Sequence, residues 1–340
     1  THRRISRAWR AIGACFTYFV CTVSCAWSCA DRCAAPGVVC VVAAADIPGI
    51  NDISPTMGDD PLFVEELVEY AGQSLFAVAA ETIEIARNAA TLAVITYEDL
   101  AAVISIDEAI DQESLLEAPY VMAHGDAQTA IDGAVHSLSG HIYMGGQEHF
   151  YLEPQASFAS PRDDGLFVVT SSQHPGEVQS AIARVLGWQM HRVTVECRRM
   201  GGGFGGKESQ AAPLACLAAL FAQRAGKTVK YRMPRSEDML HTGKRHDFST
   251  RLSLGCDSQG LLLAGDFELA GKCGYSPDLS DGIVDRAMFH VDNAHYLPNS
   301  RIVGHRCKTD TVSNTAFRGF GGPQGMLAME AAMDSLAYVA

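Results

Sequence analysis

The segment MGGGFGGKE, residues 200–208, constrains the fold of this chain most, because five of its nine residues are glycine. The preceding RVTVECRR (192–199) predicts a β-strand, and SQAAPLACLAALFAQRAG (209–226) predicts an apolar helix. Glycine permits positive φ angles and lets backbone N–H groups approach a ligand without a Cβ in the way. With the positive end of a helix dipole behind it, the loop is suited to bind an anionic or oxygen-rich group.

Two common phosphate-binding motifs match this loop only in part. The glycines of a GxGxxG motif are present at 201, 203 and 206, but no acidic residue follows about twenty residues later to bind a ribose. Residues 201–207 also satisfy GxxxxGK, but Glu208 replaces the Ser or Thr that would bind magnesium, and it would repel a triphosphate. Taken alone, the loop could also be a tight turn that only packs a helix on a strand.

A second glycine-rich turn favours a binding site over a purely structural turn. The segment SNTAFRGFGGPQG (313–325) leads into an apolar helix predicted over residues 324–337. Polar and aromatic side chains also concentrate in the segments GGQEHFYLE (145–153), TGKRHDF (242–248) and DRAMFHVDNAHYLPN (285–299). Because binding residues gather on loops at the ends of strands, these segments together predict a functional site.

The composition limits the class of partner. Of the 340 residues, 48% are apolar and 19% are charged, which is ordinary for a globular protein with two domains. The formal net charge of −13 disfavours binding to nucleic acid or to an anionic membrane surface.

The first 34 residues differ from the rest of the chain. Basic residues in RRISRAWR (3–10) precede a charge-free stretch at 11–30, which is typical of a signal peptide or a membrane anchor. Six cysteines fall in the first forty residues, four of them spaced as a helical stripe, but they lack the CxxC pairs or His partners of a metal site. The alternative is a non-native segment from a shifted coding frame. We expect this alternative for residues 1–34, and the initial Thr1 indicates a fragment.

From residue 35 onward the hydrophobic pattern becomes regular. The predicted elements of the first domain are strands at Val38–Ala43, 74–79 and within 93–99, a helix over 81–93, and a linker at 117–126. For the second domain the pattern predicts strands near 136–143, 156–160 and 165–173, and a helix over 175–187 bounded by Pro175 and Gly187. Scattered cysteines in this part are typical of small core residues.

Several of these segments resemble the molybdenum-binding subunits of the xanthine dehydrogenase family, in its bacterial two-subunit form. The segments are GGQEHFYLE, SSQHPGEVQ, RRMGGGFGGKES, TGKRHDF, DRAMFH and SNTAFRGFGGPQG, in the order and at the spacing of that family. The resemblance implies a mixed α/β (α+β) chain, with an α/β hammerhead domain at 35–118 and the first half of a molybdopterin-binding domain at 119–340. Residues 1–34 lack the family's GxAxYxDD-like opening, which supports a non-native segment there.

The resemblance also implies the cofactor and the residues that bind it. Molybdenum is held through the dithiolene of a pterin, so no side chain of the chain is expected as a metal ligand. Gln173 matches the glutamine that hydrogen-bonds a molybdenum ligand. Gly202, Gly203 and Phe204 match the loop whose backbone approaches the cofactor, and Arg318 matches an arginine whose backbone region also binds it.

Three further residues match the substrate site of the family. Phe320 matches one of two phenylalanines that sandwich a flat substrate, and Glu208 and Arg286 match the catalytic pair that binds and polarises a purine. A carboxyl group can hydrogen-bond a ring nitrogen, and a guanidinium can stabilise charge on a carbonyl oxygen. Related aldehyde oxidases carry apolar residues at these two places. Gln147 either lies near the cofactor or satisfies backbone groups in the core, and we expect the latter. Residues 244–246 are expected to be structural or to line a channel.

The activity implied by the resemblance is the oxidation of hypoxanthine and xanthine to urate, with water as the oxygen source. Electrons would pass through 2Fe–2S clusters and FAD on a partner subunit to NAD, in a cytoplasmic heterotetramer with two copies of each subunit. The family's general-base glutamate lies beyond Ala340, so we expect the fragment to be inactive alone. An aldehyde-oxidising relative and a non-catalytic remnant are the alternatives.

Overall fold

The structure, a computed structural model, describes residues 21–23, 36–56 and 58–340. Its described residues form two compact units, and the chain passes between them more than once. The first unit contains the residues up to Ala102 together with Phe150–Thr242 and Asp310–Val312. The second contains Val103–His149, Gly243–Thr309 and Ser313–Ala340. The predicted domain boundary at residues 118 and 119 concerns family domains rather than these units and stays a prediction.

Strands and short helices alternate along the described part of the chain. The strands are β1 (Cys21–Val23), β2 (Val38–Ala43), β3 (Leu67–Val68), β4 (Phe76–Ala80), β5 (Tyr97–Asp99), β6 (Tyr120–His124), β7 (His136–Met144), β8 (Ala156–Arg162), β9 (Gly165–Thr170), β10 (Val193–Glu196), β11 (Val229–Arg232), β12 (Phe248–Cys256), β13 (Leu262–Gly274) and β14 (Asn299–Lys308). The α-helices are α1 (Ile83–Ala90), α2 (Ile106–Asp111), α3 (Ala127–Asp132), α4 (Pro175–Leu186), α5 (Ala212–Ala225), α6 (Arg235–His241), α7 (Ser280–Phe289) and α8 (Gly322–Ala337). Two 3₁₀ helices lie at Ala44–Asp46 and Met190–Arg192.

The first unit is built around a four-stranded sheet in the order β10–β9–β8–β11. β9 and β10 are parallel and are joined by α4, whereas β8 pairs antiparallel with β9 and β11. Helix α4 has Pro175 in its first turn and ends at Gly187 with a φ of 65°, as its sequence predicted. Helix α5 is buried along most of its length and ends at Gly226 with a φ of 60°. The two helices form one apolar core with the sheet.

Smaller sheets complete the first unit. β2 and β4 form an antiparallel pair, and β3, β1 and β5 form a second sheet in that order. The predicted strand at Val38–Ala43 is confirmed with its bounds. Helix α1 is shorter than the 81–93 predicted, because the side chain of Thr82 caps its start by accepting a hydrogen bond from the backbone of Ile85. No residue of α1 is buried.

The second unit contains a five-stranded sheet in the order β6–β14–β13–β12–β7. β13 and β14 are parallel, and the other neighbours are antiparallel. Helices α7 and α8 pack on this sheet, and the shared core includes Phe267, Leu269, Ile283, Met288 and Met329. Each unit therefore presents one glycine-rich loop at the start of a helix that is anchored in a core of its own.

The linker predicted at 117–126 is wrong, because these residues contain β6, which pairs with β14. β6 is an edge strand whose residues are exposed or half-buried, so its sequence lacks the apolar alternation that marks a strand.

The expected cysteine stripe and signal-like segment of residues 1–34 fall outside the described residues, except for the backbone of 21–23. Within the part of the chain that the structure describes, none of the helices has the length and apolar character that crossing a bilayer requires.

Candidate functional site

The two glycine-rich loops share one local backbone form. In each, the sequence GFGG places a phenylalanine in the left-handed region, with φ angles of 56° at Phe204 and 47° at Phe320. The glycine that follows also has positive φ, 100° at Gly205 and 89° at Gly321. A bulky residue with positive φ is strained, and such strain persists only where the surroundings over-determine the conformation. Each loop leads toward a helix, α5 in the first unit and α8 in the second.

Glu153 and a buried lysine hold the first loop at both ends. At the start of the loop, the Oε2 atom of Glu153 accepts a hydrogen bond from the backbone of Gly201 at 2.8 Å. At its end, the ammonium group of Lys207 donates to the backbone oxygen of Glu153 and to the hydroxyl of Ser171, both at 2.7 Å. The Lys207 side chain is fully buried and lies over the ring of Tyr151. Lys207 therefore points into the first unit and is not placed to bind a phosphate.

The electrostatics of this pair support an ion pair between Lys207 and Glu153. Burial lowers the pKa of Lys207, and the negative charge of Glu153 opposes that shift. Burial acts to raise the pKa of Glu153, but hydrogen bonds from Ser171 and Gly201 and the charge of Lys207 lower it overall. A carboxylate with this many donors stays ionised over a wide pH range.

Gln173 fills the concave side of the first loop. Its Oε1 atom accepts hydrogen bonds from the backbone of Gly205 at 2.9 Å and of Lys207 at 3.3 Å. A Cβ added at Gly203 would lie 2.4 Å from this oxygen, so only glycine allows the close approach. Because the N–H groups of Gly205 and Lys207 both donate to it, the oxygen end of the Gln173 amide must face the loop. The Nε2 group, which makes no hydrogen bond to any described residue, thus remains a donor for a ligand.

Glu208 is half-buried directly after the first loop. It lines a small cavity together with Glu177 and Ser209. Burial raises the pKa of Glu208, Glu177 raises it further, and His174 opposes both. The Glu177 carboxylate pairs with the Nδ1 atom of His174 at 2.9 Å. A carboxyl group with a raised pKa can donate as well as accept a hydrogen bond, which suits contact with ring nitrogens.

Arg245 supports the second loop. Its guanidinium donates to the backbone oxygen of Arg318 at 2.8 Å and to the side-chain oxygen of Gln147 at 2.7 Å. It also lies over the ring of Phe317 at 4.0 Å from the centroid, an aromatic packing typical of arginine. Gln147 is exposed and bonded to Arg245, so the expectation that it satisfies backbone groups in the core is wrong. The sequence offered no sign of this pairing, because the two residues are 98 positions apart.

The other predicted residues of the second unit, Arg286 and Phe320, lie on closely packed segments. A Cβ at Gly282 in helix α7 would be 3.2 Å from the ring of Phe320, and one at Gly321 would be 2.0 Å from the backbone oxygen of Ile283. Arg286 is exposed on the same helix, and its Nε atom would be 4.0 Å from a Cβ at Gly322. The second unit therefore brings Arg286 and the loop around Phe320 together.

Two buried side chains, Arg306 and His246, fix the position of helix α7. The buried guanidinium of Arg306, on β14, donates to the carboxylates of Asp281 at 3.2 Å and of Asp285. His246, also buried, shares a 2.8 Å hydrogen bond with Ser280 at the start of the helix. The neighbouring Lys244 pairs with Glu148 at 2.8 Å. Whether residues 244–246 also line a channel stays a prediction.

Each loop, taken by itself, offers a hydrogen-bonding group that suits a polar heterocyclic cofactor. In the first loop the Nε2 donor of Gln173 is free for a ligand. In the second, the Oε1 atom of Gln324, in the first turn of α8, is buried and has no hydrogen-bond partner among the described residues. Buried acceptors of this kind are rare unless a ligand or water satisfies them. The amide, ring-nitrogen and phosphate groups of molybdopterin offer both the acceptors and the donors that these side chains need.

Comparison with known proteins agrees with this chemistry. The family model described as "Molybdopterin cofactor-binding domain" matches residues 111–339. The family model described as "Aldehyde oxidase and xanthine dehydrogenase, a/b hammerhead domain" matches residues 28–101. The fold and these matches define a molybdopterin-binding protein of mixed α/β architecture. The chain belongs to the aldehyde oxidase and xanthine dehydrogenase family, which confirms the resemblance seen in its sequence.

Individual relatives support the same family. The chain is 40% identical over 297 residues to a xanthine dehydrogenase of Dictyostelium discoideum and 42% identical over 306 residues to a xanthine dehydrogenase/oxidase of Gallus gallus. These matches cover 87% and 89% of the chain, but only 22% of each relative. The chain thus spans about a fifth of the length of the curated relatives it matches.

Solved structures share the fold. An aldehyde oxidoreductase from Desulfovibrio gigas superposes with a TM-score of 0.89 at 25% identity, over 96% of this chain and 38% of that one. A quinoline 2-oxidoreductase from Pseudomonas putida superposes with a TM-score of 0.85 at 22% identity, over 96% of this chain and 44% of that one, and shows the fold alone.

Proposed function

We propose that the protein to which this chain belongs is a molybdenum hydroxylase that oxidises hypoxanthine and xanthine to urate. The single observation that carries the proposal is the 40–42% identity to proteins named xanthine dehydrogenase across nearly nine-tenths of the chain. The half-buried carboxyl group of Glu208 beside the first loop supports a purine substrate, because a purine presents several ring nitrogens for it to bind.

The two loops have distinct proposed roles. Gln173 and the backbone of Gly202, Gly203 and Phe204 would hold the cofactor in the first unit, and the backbone around Arg318 would hold it in the second. Phe320 would pack on the flat substrate ring. When bound, molybdopterin supplies a molybdenum centre that takes up two electrons while an oxygen atom derived from water is added to a ring carbon.

Glu208 and Arg286 act on the substrate rather than on the cofactor in this proposal. Glu208, with its raised pKa, would hydrogen-bond a ring nitrogen and fix the orientation of the purine. Arg286 is exposed on helix α7, and its Nε atom donates to Nε2 of His290 at 3.4 Å. Its two terminal amino groups would stabilise negative charge that develops on a purine carbonyl oxygen. Arg306 would position Arg286 indirectly by anchoring the helix.

The test is a substrate panel on the full-length protein with the Arg286→Met variant. Loss of a charge-stabilising donor should lower kcat/KM for xanthine by about a hundredfold or more, whereas turnover of a simple aldehyde should change little. The matched control is Arg301→Met, since Arg301 is exposed and pairs with Asp266 on the sheet of the same unit. Equal losses on xanthine and aldehyde with Arg286→Met would contradict the assigned role.

An aldehyde-oxidising enzyme is the second candidate, favoured by the structural likeness to the Desulfovibrio gigas aldehyde oxidoreductase. The same panel separates the two candidates, because an aldehyde oxidase would turn over aldehydes faster than xanthine in the unmodified protein. We also propose a cytoplasmic assembly with an iron–sulfur and FAD subunit that passes electrons to NAD, in a heterotetramer with two copies of each subunit. Copurification of that subunit with the native protein would test this arrangement.

A further inference from the structure

The first unit contains a cavity of about 470 Å³ that shares no residue with either glycine-rich loop. The β2–β4 pair and helix α1 form one side of it, and the C-terminal half of α5 with β11 forms the other. Its walls are mainly apolar and include Phe63, Phe76, Leu217 and Phe221. The volume falls within the usual range for small-molecule sites. The apolar face of α1 lines the cavity, so no residue of that helix is buried.

One wall of the cavity carries a buried carboxyl group with one oxygen atom that accepts no hydrogen bond. Glu237 is 1% exposed, and its Oε2 atom has no hydrogen-bond partner among the described residues. Its Oε1 atom lies 3.7 Å from a guanidinium nitrogen of Arg87, too far for a hydrogen bond. The Nε group of Arg87 is also buried and likewise makes no hydrogen bond within the described structure. A buried Nε–H donor and a buried carboxyl oxygen, both without a hydrogen bond, are rare unless a ligand or water satisfies them.

The charges around the cavity favour an anion. Four cationic side chains line it, those of Arg87, Lys227, Lys230 and Arg232. Two acidic side chains line it, Glu81 and Glu237, so the lining has a surplus of two positive charges on a chain whose net charge is −13. Lys227, Lys230 and Arg232 are exposed and would attract an anionic ligand from solvent, whereas Arg87 is half-buried.

We propose that this cavity binds a small monocarboxylate with an apolar body, whose carboxylate is held by Arg87 and whose body lies against the apolar walls. The guanidinium of Arg87 supplies planar N–H donors suited to a carboxylate. Burial raises the pKa of Glu237, with the charge of Arg87 opposing the shift. A protonated Glu237 would donate a second hydrogen bond to the ligand instead of repelling it.

The experiment titrates the full-length protein with decanoate and with its neutral counterpart 1-decanol, both monomeric in solution, by isothermal calorimetry. We expect saturable 1:1 binding of decanoate in the micromolar range, and binding of 1-decanol weaker by about tenfold. The Arg87→Gln variant should lose about tenfold in affinity for decanoate and leave 1-decanol unchanged. Because the readout is binding, it is independent of molybdenum content and of the proposed purine activity.

Steric variants locate the site. Ala86 lines the cavity, so Ala86→Phe should fill it and abolish binding of both probes. Asn88→Phe is the matched control, because Asn88 is exposed on the same helix and lies outside the cavity. Ala225→Phe, on the opposite wall, repeats the test if circular dichroism shows that Ala86→Phe is unfolded. The absence of saturable binding, equal affinity for both probes, or binding unchanged by both filling variants would each overturn the proposal.

Discussion

The ammonium group of Lys207 lies 2.7 Å from the backbone oxygen of Glu153, in a position without solvent exposure. This contact joins the end of the first glycine-rich loop to a residue whose side chain binds the start of the same loop through Gly201. A buried lysine is retained only where charge and hydrogen bonds satisfy it, and this one is satisfied by Glu153 and Ser171. The loop is therefore a preformed structure, closed by one cation.

Replacing this cation should destabilise the first unit. Lys207→Met keeps the side-chain volume but leaves the Ser171 hydroxyl and the Glu153 carboxylate without their buried donor. We expect the free energy of unfolding to fall by about 3 kcal/mol, measured as a lower midpoint in urea denaturation. Lys227→Met, at an exposed position, is the control and should change it by less than about 0.5 kcal/mol. Equal stability of the two variants would show that the buried contact contributes nothing.

A methyl group at Gly203 should impair cofactor binding without unfolding the chain. The added Cβ would lie 2.4 Å from Oε1 of Gln173, so that side chain must leave its hydrogen bonds to Gly205 and Lys207. We expect the molybdenum content of purified Gly203→Ala protein to fall by about tenfold, measured by mass spectrometry of the metal.

Gly176→Ala is the control for this substitution, because a Cβ at Gly176 would meet no atom within 4 Å. If both variants retained the same molybdenum content, the position of Gln173 against the first loop would not matter for cofactor binding.

The buried His246 should make the second unit sensitive to acid. Burial lowers the pKa of His246 from 6.5 to about 3, so the native state keeps it neutral while the unfolded chain takes up a proton. Its stabilising contribution is therefore complete above pH 6.5 and is lost as the pH falls toward 3, by up to about 1.4 kcal/mol for each pH unit. Thermal unfolding at a series of pH values measures this loss.

The His246→Gln variant isolates that contribution. A glutamine amide can still bond Ser280 but cannot be protonated, so the acid-dependent loss of stability should be shallower than in the unmodified protein. Parallel stability curves for the two proteins between pH 6.5 and 4 would refute the role of His246.

Glu177 and Glu208, near the first loop, should determine part of the pH dependence of catalysis. This prediction rests on the proposed purine activity. Glu177 raises the pKa of Glu208, so Glu177→Gln should lower it. In the pH profile of kcat/KM for xanthine, the ionisation assigned to Glu208 should then move to lower pH, and Glu208→Gln should remove it. Glu66→Gln, at an exposed position, should leave the profile unchanged. An unchanged profile in Glu208→Gln would exclude this residue from substrate binding.

Local patterns predicted the parts of the fold that neighbouring residues determine. Helix α4 follows from Pro175 and Gly187, and helix α5 from a continuous apolar run that ends at Gly226. The ends of both helices at their C-terminal glycines were correct, because capping acts over a few residues, whereas α5 begins at Ala212 and not at residue 209. The edge strand β6 was missed because its partner, β14, lies more than 170 residues away in the chain.

The candidate site, like the fold, was predicted from the sequence only in part. Their glycine content and the family resemblance were enough to indicate a molybdopterin site and to select Gln173, Glu208, Arg286 and Phe320 as candidates. Nothing in the sequence indicated the inward direction of Lys207 or the support of the second loop by Arg245. Nor did the sequence indicate the ion pair between the buried Glu237 and Arg87.

Sequence alone thus determined the family, the loop positions and the helices that follow them, since these depend on contiguous residues. Tertiary structure decided which side chains are buried and which hydrogen bonds hold each loop, because those partners lie tens of residues apart, as Glu153 and Lys207 do at a separation of 54. Burial also sets the pKa shifts of Glu208 and His246, since desolvation depends on the elements that pack around a group.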